Sequence, residues 1–403
     1  MLTYEQARRT VIEQVEKGRG PLATANISVW DALGFVLAEE VKTDREYPPF
    51  HRSTRDGYAV IAAEATPSST LRCVAEIKAG DTVTQPLVPG TCVQIMTGAA
   101  VPPGADAVVM IEHTNRDGDS VRFERAAQPG QNIVPRGSEA KCGETLLSPG
   151  IRLGYAELAL AAQVGASQLR CASKPRVAIL STGDEVVSVD QEPGAFQIRN
   201  SNSVSLAAQV QLAGGEPVLL GNAADRIDYL REKISRGLLE EVLVLSGGVS
   251  MGKYDLVETV LKDLGAEFYF DAVAIRPGKP AVFGKCGGTF VFGLPGNPVS
   301  TMVTFELFVV PAVDLLSGAS ARDLPLVEAR LGGALNEKQG LAHFLPARVE
   351  WRGATPVVKA LPWQGSGDIA ALARANCFLV VAADRGQVNI GDSVPILLRK
   401  DVI

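Results

Sequence analysis

Apolar residues follow two different periods along this chain of 403 residues. Within residues 1–20 they recur about every 3.6 residues, which predicts a helix over 3–17. From 174 to 322, short uninterrupted apolar runs alternate with helix-like segments. Such runs are typical of parallel strands that are buried on both faces, so this region predicts a three-layer αβα domain with a mostly parallel sheet. We expect the N-terminal helix to pack on that domain.

The flanking regions show another pattern. Short alternating strands separated by Gly, Pro and Asp predict a small, mainly β domain over 44–143 and a C-terminal β barrel or sandwich over 323–403. Residues 21–43 together with 144–173 are expected to form an elongated linker or β domain. The predicted fold class is therefore multidomain α/β. It combines an αβα three-layer domain with a mostly parallel sheet, two small mainly β domains and a C-terminal β barrel or sandwich.

Composition narrows the partners that the chain could have. The formal net charge is −6 and the pI is about 5.4, which argues against sequence-independent nucleic-acid binding because that needs a basic surface. No apolar run approaches about 18 residues, so no membrane span is predicted. The six cysteines and three histidines are scattered and form no CxxC motif, which disfavours a zinc site. Reduced thiols in a cytoplasmic protein, without nucleic-acid or membrane partners, are the simplest expectation.

Three glycine-rich turns lie close together in the chain: Ser246–Gly252, Arg276–Pro280 and Leu294–Ser300. The first and third each follow a short apolar run and precede a helix-like segment, whereas the second joins two apolar runs. Glycine allows positive φ and lets backbone N–H groups approach a ligand closely, and the start of a helix adds a positive dipole end. Such turns at the ends of adjacent parallel strands would form one anion-binding crevice.

Four acidic residues lie at predicted strand ends or helix starts: Asp184, Glu185, Asp225 and Asp255. Several carboxylates near one crevice suit a hard divalent cation, with Mg²⁺ kept partly hydrated and shared with substrate phosphates. Two alternatives stay open. Asp225 is also a suitable helix N-cap, and Asp184 or Glu185 alone could be a turn residue in contact with water.

Two basic residues, Arg276 and Lys279, flank the glycine of the second turn. They could supply fixed cations to an oxyanion, although a proline-glycine hairpin with solvated ends has the same pattern. The PGNP turn at 295–298 is likewise either an anion site or a tight helix entry. The nucleotide fingerprints GxxxxGKS/T and GxGxxG are not found where a kinase or a dehydrogenase would have them. No serine-histidine pair has a nucleophile-elbow context, which disfavours a hydrolase with a covalent intermediate.

Seven motifs occur in order along nearly the whole chain: PPFHRSTRDGYAV (48–60), MTGAAVPPGADAVV (96–109), STGDEV (181–186), SGGVSMGKYD (246–255), AIRPGKP (274–280), GLPGNPVS (293–300) and QGSGDIAALARAN (364–376). Together they resemble the molybdopterin molybdenumtransferase family, to which the C-terminal region of gephyrin also belongs. The resemblance implies a transferase that inserts molybdate into adenylyl-molybdopterin, with Mg²⁺-dependent release of AMP, to give molybdenum cofactor. The alternatives are a molybdopterin adenylyltransferase and a non-catalytic scaffold that keeps the fold.

The resemblance also implies partners. The chain would form a homodimer in which the second subunit completes the cleft. Its substrates would be adenylyl-molybdopterin and molybdate. Molybdopterin adenylyltransferase and the proteins that mature molybdoenzymes are the protein partners that it suggests.

Individual residues acquire expected roles from the same resemblance. The catalytic set is Asp56, Asp184, Glu185, Asp225, Asp255 and Lys279. The metal ligands within it are Glu185, Asp225 and Asp255. The substrate-binding set is Thr97, Arg136, Thr182, Gly183, Gly247, Gly248, Ser250, Arg276, Pro280, Gly296, Asn297, Pro298, Ser300, Arg348 and Ser366.

Three groups within these sets have distinct expected roles. The residues expected to act from across the dimer are Asp56, Thr97 and Arg136. The residues expected to wrap the pterin phosphate or the nucleotide are Gly247, Gly248 and Ser250. The residues expected to hold molybdate are Arg276, Lys279, Arg348 and Ser366.

The chain departs from the family pattern at three places. Arg52–Arg55 stand where the family commonly has Asn-Ser-Ala-Met, and Asp225–Arg226 stand where it often has two adjacent Asp. Arg276 stands where it usually has Lys, which keeps the charge but presents a planar fork in place of a point charge. We therefore expect differences in fine specificity more than in reaction class.

Overall fold

The structure is a computed structural model that describes residues 1–248, 256–399 and 401–402. The α-helices in these residues are α1 Tyr4–Gly18, α2 Tyr155–Gln163, α3 Ser201–Ala213, α4 Ile227–Gly237, α5 Leu256–Asp263, α6 Pro298–Thr304, α7 Val310–Leu316 and α8 Ile369–Arg374. A short 3₁₀ helix covers Ile111–His113, and a π-helical segment, Phe305–Val309, joins α6 to α7.

A six-stranded sheet lies at the centre of residues 174–322. Its strands, numbered in chain order, are β1 Arg176–Thr182, β2 Glu216–Ala223, β3 Val242–Ser246, β4 Glu267–Phe270, β5 Val282–Cys286 and β6 Thr289–Leu294. Their spatial order is β2-β1-β3-β6-β5-β4. The first four pair in parallel, whereas β5 pairs antiparallel with both β6 and β4. The prediction of a mostly parallel sheet is confirmed.

Helices cover both faces of this sheet, which explains the uninterrupted apolar strands. Successive residues of a strand point to opposite faces. In β1, Val177 and Ile179 join the core formed with α1, α3, α6 and α7, whereas Ala178 and Leu180 join the core formed with α4 and α5. All four side chains are fully buried, so both faces of the strand are apolar at these positions.

Helix α1 begins with a capping box, in which Thr3 and Gln6 exchange hydrogen bonds between side chain and backbone. Its apolar face consists of Ala7, Val11 and Val15, and all three are fully buried in the core of the αβα layers. Helix α1 thus packs on α7 and the π-helical segment through side chains spaced three or four residues apart.

The apolar segment Pro298–Leu316, which comprises α6, the π-helical segment and α7, runs through the core. It is the one helix in the described part of the chain that is long and apolar enough to cross a membrane. However, 83% of its apolar window is buried inside the protein. Burial on this scale is what a central core helix requires, because it is hydrophobic nearly all round.

Two paired segments connect the N-terminal regions. Strand Thr24–Ser28 pairs antiparallel with Gln168–Ala172, and Val41–Lys42 pairs antiparallel with Thr145–Leu147. These pairings bring 21–43 and 144–173 into one unit, which also contains α2.

A second six-stranded sheet is formed between these segments. In spatial order its strands are Ala107–Met110, Gly57–Val60, Thr91–Ile95, Thr70–Ile77, Ser120–Phe123 and Thr114–Asp117. A short antiparallel pair, Arg52–Ser53 with Ile133–Val134, lies at its border. The expected small β unit is present, with one buried and one more exposed face along its longer strands.

The C-terminal strands close into a barrel. They are Leu326–Leu331, Ala342–Arg352, Thr355–Ala360, Cys377–Val381 and Ser393–Leu398, and each pairs with two others. The short strand Ile275–Arg276, which follows β4 in the chain, adds in parallel to Ala342–Arg352. This pairing connects the barrel to the αβα domain.

Two further short pairs are Leu335–Asn336 with Gln387–Val388 and Val186–Val187 with Ile198–Arg199.

Candidate active site

The turns that follow the parallel strands meet at the carboxyl edge of the central sheet. Gly247 follows β3, and its N–H donates to Leu294 O at the end of β6 over 3.2 Å. A Cβ placed on Gly296 would lie 3.5 Å from the Cα of Gly247, so the turns after β3 and β6 are in contact. On the other side, Gly183 N donates to Ala223 O over 3.3 Å and joins the ends of β1 and β2. The ends of four parallel strands therefore border one crevice.

Two consecutive glycines, Gly247 and Gly248, shape the middle of this crevice. Their φ angles are +90° and +62°, in the left-handed region that glycine adopts without strain. A Cβ on Gly248 would also lie 2.7 Å from Thr182 Oγ1. Thr182 is 4% exposed, and its hydroxyl has no hydrogen-bond partner among the described residues. Close approach and backbone conformation both require glycine here, which brings bare backbone to the crevice.

Acidic side chains lie at the β1–β2 end of the crevice. Asp225 N donates to Asp184 Oδ1 over 3.1 Å, so the two residues are neighbours. Asp225 is exposed, but partial desolvation raises its pKa, and the charges of Asp184 and Glu185 raise it further. The three carboxylates thus repel one another, and a bound cation would relieve that repulsion.

The N-cap alternative for Asp225 is wrong. Helix α4 begins one residue later than that reading requires, because its N-cap is Arg226, which makes no side-chain capping bond. The carboxylate of Asp225 is therefore not occupied by the helix terminus.

The donor set fits Mg²⁺ in chemistry. Within residues 1–248, 256–399 and 401–402, no three His, Cys, Asp or Glu side chains surround one metal position. Asp255, the third expected ligand, lies outside the described residues, as does Ser250. The donors that are present, Asp184, Glu185 and Asp225, offer oxygens alone, and Mg²⁺ needs few protein ligands because it keeps waters and shares phosphate oxygens.

The RPGK turn places two cations beside α6. Gly278 has φ +114°, and a Cβ there would lie 2.7 Å from Thr304 Cγ2, so the turn packs on the C-terminal end of that helix. No contact among the described residues joins this turn to the glycine turns of the crevice. Arg276 is in register with His343 of the barrel strand. Arg276 and Lys279 are exposed, and neither is in an ion pair with a carboxylate of the described residues. Both side chains are thus available to an anion, and Pro280 follows them half-buried.

Helix α6 begins at the crevice, with Asn297 as N-cap and Pro298 in the first turn. The exposed Asn297 side chain makes no capping bond, while Ser300 is buried one turn further on. Val299 N donates to Ser366 O over 2.9 Å. This bond brings the QGSG segment of the C-terminal unit to the helix start, where backbone donors and the dipole favour an anion.

Arg348 is not brought to the crevice by any contact in the described part of the chain. It lies on the barrel strand Ala342–Arg352, exposed, with its Nε 3.9 Å from Glu350 Oε1. Its expected role in holding molybdate therefore stays a prediction.

Three of the expected residues lie apart from the crevice, on the small sheet and its loops. Thr97 N donates to Asp56 Oδ1 over 2.6 Å, and this hydrogen bond lowers the pKa of the Asp56 carboxyl. The Nε of Arg136 lies 2.5 Å from Glu46 Oε2, and its backbone N–H donates to His51 Nδ1 over 3.3 Å. Among the described residues, all of these contacts join positions in the N-terminal half of the chain. Within one chain, Asp56, Thr97 and Arg136 therefore lie apart from the crevice.

Two asparagines border the crevice that sequence reasoning missed. Asn222 Nδ2 donates to Gly183 O over 2.9 Å, and Asn202 Nδ2 donates to Gly296 O over 2.8 Å. Asn222 directly follows the apolar run PVLLG, so its place as a polar residue at a strand end could have been used to predict it as a site residue. Nothing in the local sequence distinguishes Asn202 from an ordinary residue of the first helical turn.

A cavity of about 460 Å³ lies elsewhere, between α3 and the C-terminal barrel. Leu212, Met302, Leu372 and Phe378 are among its lining residues, and it shares none of the crevice turns. A mostly apolar wall does not suit a dianion or a pyrophosphate, so this cavity does not compete with the crevice as an active site.

These features define a multidomain α/β protein with a candidate site for a phosphorylated or oxyanionic ligand at the carboxyl edge of a parallel sheet. The chain belongs to the molybdopterin molybdenumtransferase family. It is 32% identical to the molybdopterin molybdenumtransferase of Haemophilus influenzae, in a match that covers 98% of each chain. It is 33% identical to that of Bacillus subtilis, over 99% of this chain and 94% of the relative. The gephyrin of Dictyostelium discoideum is 32% identical over 99% of this chain and 62% of its own length.

Family profiles and a solved structure agree with this assignment. Residues 2–165 match the MoeA N-terminal region (domain I and II), 178–314 match a probable molybdopterin binding domain, and 328–398 match the MoeA C-terminal region (domain IV). The crystal structure of the molybdopterin biosynthesis MoeA protein from Pyrococcus horikoshii OT3 superimposes with a TM-score of 0.84. That match has 27% sequence identity and covers 99% of this chain and 100% of the other. The expected family and fold class are confirmed.

Proposed function

We propose that this chain transfers molybdate to adenylyl-molybdopterin and releases AMP, which gives molybdenum cofactor. One observation carries this proposal. The acids near Asp184, the glycine turns at Gly247 and Gly296, and the start of α6 meet at one edge of the sheet. The RPGK turn packs on the same helix. The substrates have matching parts. A pyrophosphate needs backbone donors and a metal ion, and molybdate is a dianion that needs cations.

The protein acts by positioning and electrostatics, and no covalent enzyme intermediate is needed. Backbone donors of the Gly247–Gly248 turn and of the α6 start hold the phosphates. Lys279 and Arg276 hold molybdate, and the planar fork of Arg276 can donate two parallel hydrogen bonds to two of its oxygens. Asp225 and its neighbouring carboxylates bind Mg²⁺, which when bound supplies Lewis-acid stabilisation of phosphoryl oxygens.

The function is tested with two reactions of the purified protein. One supplies molybdopterin with Mg-ATP, and the other supplies adenylyl-molybdopterin with molybdate and Mg²⁺. We expect molybdate-dependent AMP release in the second reaction and no adenylylated product in the first. Adenylylation in the first reaction would favour the adenylyltransferase alternative, and inactivity in both would favour the scaffold.

Replacing Lys279 by Met should raise the KM for molybdate by about 10- to 100-fold, because a charge-assisted contact to the dianion is lost. Turnover at saturating molybdate should fall less. Lys17→Met is the matched control, since Lys17 is an exposed residue in the last turn of α1. Steady-state AMP release at varied molybdate measures both, and an unchanged KM for the Lys279 variant would remove that residue from the molybdate site.

The active form is a homodimer with a shared cleft. The separation of Asp56, Thr97 and Arg136 from the crevice within one chain supports this arrangement. So do large apolar side chains left exposed on the N-terminal unit, which is the unit formed by residues 21–43 and 144–173: Trp30 is 91% exposed and Tyr155 is 89% exposed. Light scattering should therefore give twice the chain mass of 42.6 kDa.

Subunit complementation tests the shared cleft directly. Asp56→Asn and Asp225→Asn dimers should each be inactive, whereas co-expression of the two chains should restore about a quarter of native activity, because half of the dimers are mixed and each has one intact cleft. No recovery, with mixed dimers shown by mass spectrometry, would place both carboxylates in the same chain's site.

Location and partners follow from the same proposal. All six cysteines are free, which agrees with a reducing cytoplasm. Because the substrate arrives already adenylylated, an adenylyltransferase for molybdopterin must supply it, and proteins that mature molybdoenzymes must accept the product.

A further inference from the structure

Asn202 lies at the start of α3 but does not cap it. The N-cap is Asn200, whose Oδ1 accepts from Ser203 N over 3.0 Å. The side chain of Asn202 reaches away from its own helix to the turns after β3 and β6. Its Nδ2 donates to Ser246 Oγ and to Gly296 O, each over 2.8 Å. One amide group therefore bridges the ends of two parallel strands.

The partners determine which way the amide of Asn202 faces. Gly296 O can only accept, so the NH₂ group must point toward it. A longer contact of 3.4 Å to Thr301 Oγ1 agrees, since that hydroxyl donates its own proton to Pro295 O. The Oδ1 atom is then turned away, is buried, and has no hydrogen-bond partner among the described residues. An unpaired buried oxygen opposes folding, so stability alone does not account for this residue.

We propose that Asn202 is a positioning residue that holds the glycine turn after β3 and the turn before α6 at a fixed separation. Ser246 leads directly into Gly247, and Gly296 leads directly into the N-cap of α6. In the proposed function, on which this inference rests, these two turns supply the backbone donors for the substrate phosphates. A change in their separation misplaces the donors and slows the reaction without removing a group that touches substrate.

The test uses Asn202→Asp and Asn202→Ala in the full-length protein, with Asn336→Asp, at an exposed position of the barrel, as the control for added charge. Asn202→Asp keeps the size of the side chain but sets a carboxylate against Gly296 O. At pH 8 we expect kcat/KM for AMP release to fall at least about tenfold in both Asn202 variants, and the affinity for AMP by calorimetry to fall with it.

The pH dependence distinguishes positioning from a merely structural role. A carboxyl group held beside a carbonyl has a raised pKa, and its protonated form again has an O–H donor. Lowering the pH should therefore restore activity to Asn202→Asp relative to the native enzyme, but not to Asn202→Ala. Thermal unfolding followed in parallel shows that each assay is made on folded protein.

Native kinetics in Asn202→Ala, or the same pH dependence in both variants, would overturn the inference. Failure of the native protein to release AMP would instead overturn the proposed function. The two failures are thus distinguished by the native reaction itself.

Discussion

Asp225→Asn is expected to reduce Mg²⁺-dependent AMP release by at least about 100-fold at pH 7, with the fold retained. Asp225 lies beside Asp184, with its N–H donating to that carboxylate over 3.1 Å. The amide of the variant keeps the shape of the side chain but removes the negative charge that a hard cation requires. The measurement is AMP release over a range of Mg²⁺ concentrations.

The same substitution should stabilise the protein in the absence of Mg²⁺. The pKa of Asp225 is raised above its ordinary value of 3.8, first by desolvation and then by Asp184 and Glu185. The folded protein therefore binds a proton at this site more tightly than the unfolded chain does, so ionisation of Asp225 opposes folding. That penalty grows as the pH rises from about 4 through the folded-state pKa and is fully present above it. The variant should be more stable than the native protein at pH 7, and the difference should vanish below about pH 4.

Added Mg²⁺ gives a second readout that does not depend on turnover. Binding to the folded state alone raises the Tm by mass action, so Mg²⁺ should raise the Tm of the native protein and leave that of Asp225→Asn nearly unchanged. Asp228→Asn, in the first turn of α4, is the matched control because Asp228 is exposed a single turn away. Should Asp225→Asn keep both the activity and the Mg²⁺ response, Asp225 is not a metal ligand.

The sequence predicted an element correctly where the element's own residues show a hydrophobic pattern. Strand β1 reads RVAILST without alternation because helices cover both faces of the sheet, and the glycine turn at Gly183 follows it directly. The same holds for β3 and the turn at Gly247. Because the carboxyl ends of parallel strands share one edge, the crevice could be predicted from the order of runs and turns along the chain.

Prediction from the sequence failed where the structure depends on a contact between segments that are distant in the chain. Ile275–Arg276 becomes a strand of the C-terminal barrel, but two residues are too short to show any period. The bridge from Asn202 to Gly296 spans 94 positions, and its local sequence looks like an ordinary helix start. Asp225 had the residue type of an N-cap, yet the backbone places Arg226 there, because residue type alone does not set where the first helical turn begins.

The largest expected loss of stability lies away from the crevice, at Asp314 of α7. This carboxylate is 1% exposed and accepts from two guanidinium groups. Arg152 Nη2, from the N-terminal unit, donates to Asp314 Oδ1 over 3.1 Å, and Arg322 Nε donates to Oδ2 over 2.8 Å. Arg322 also donates to Ala213 O at the end of α3 over 2.8 Å. Through these hydrogen bonds the buried carboxylate of Asp314 connects the N-terminal unit, α3 and α7.

Asp314→Asn should lower the free energy of unfolding by about 3 kcal/mol, because two partly buried guanidinium groups lose their counter-charge. We place the loss at the low end for a buried pair since the Arg152 and Arg322 side chains are 28% and 27% exposed and water can reach them. Urea denaturation followed by circular dichroism should show this loss as a lower urea concentration at the midpoint of the transition in which the αβα domain unfolds.

Asp263→Asn is the matched control for this loss. Asp263 pairs with Arg231 over 2.6 Å, but both side chains are exposed, at 53% and 40%. An ion pair in water gains little, so the control should change the free energy of unfolding by at most about 1 kcal/mol. Equal shifts in the two variants would mean that burial adds nothing to the Asp314 pair. The N-terminal unit would then be held on the central domain by its other contacts and not by this charge.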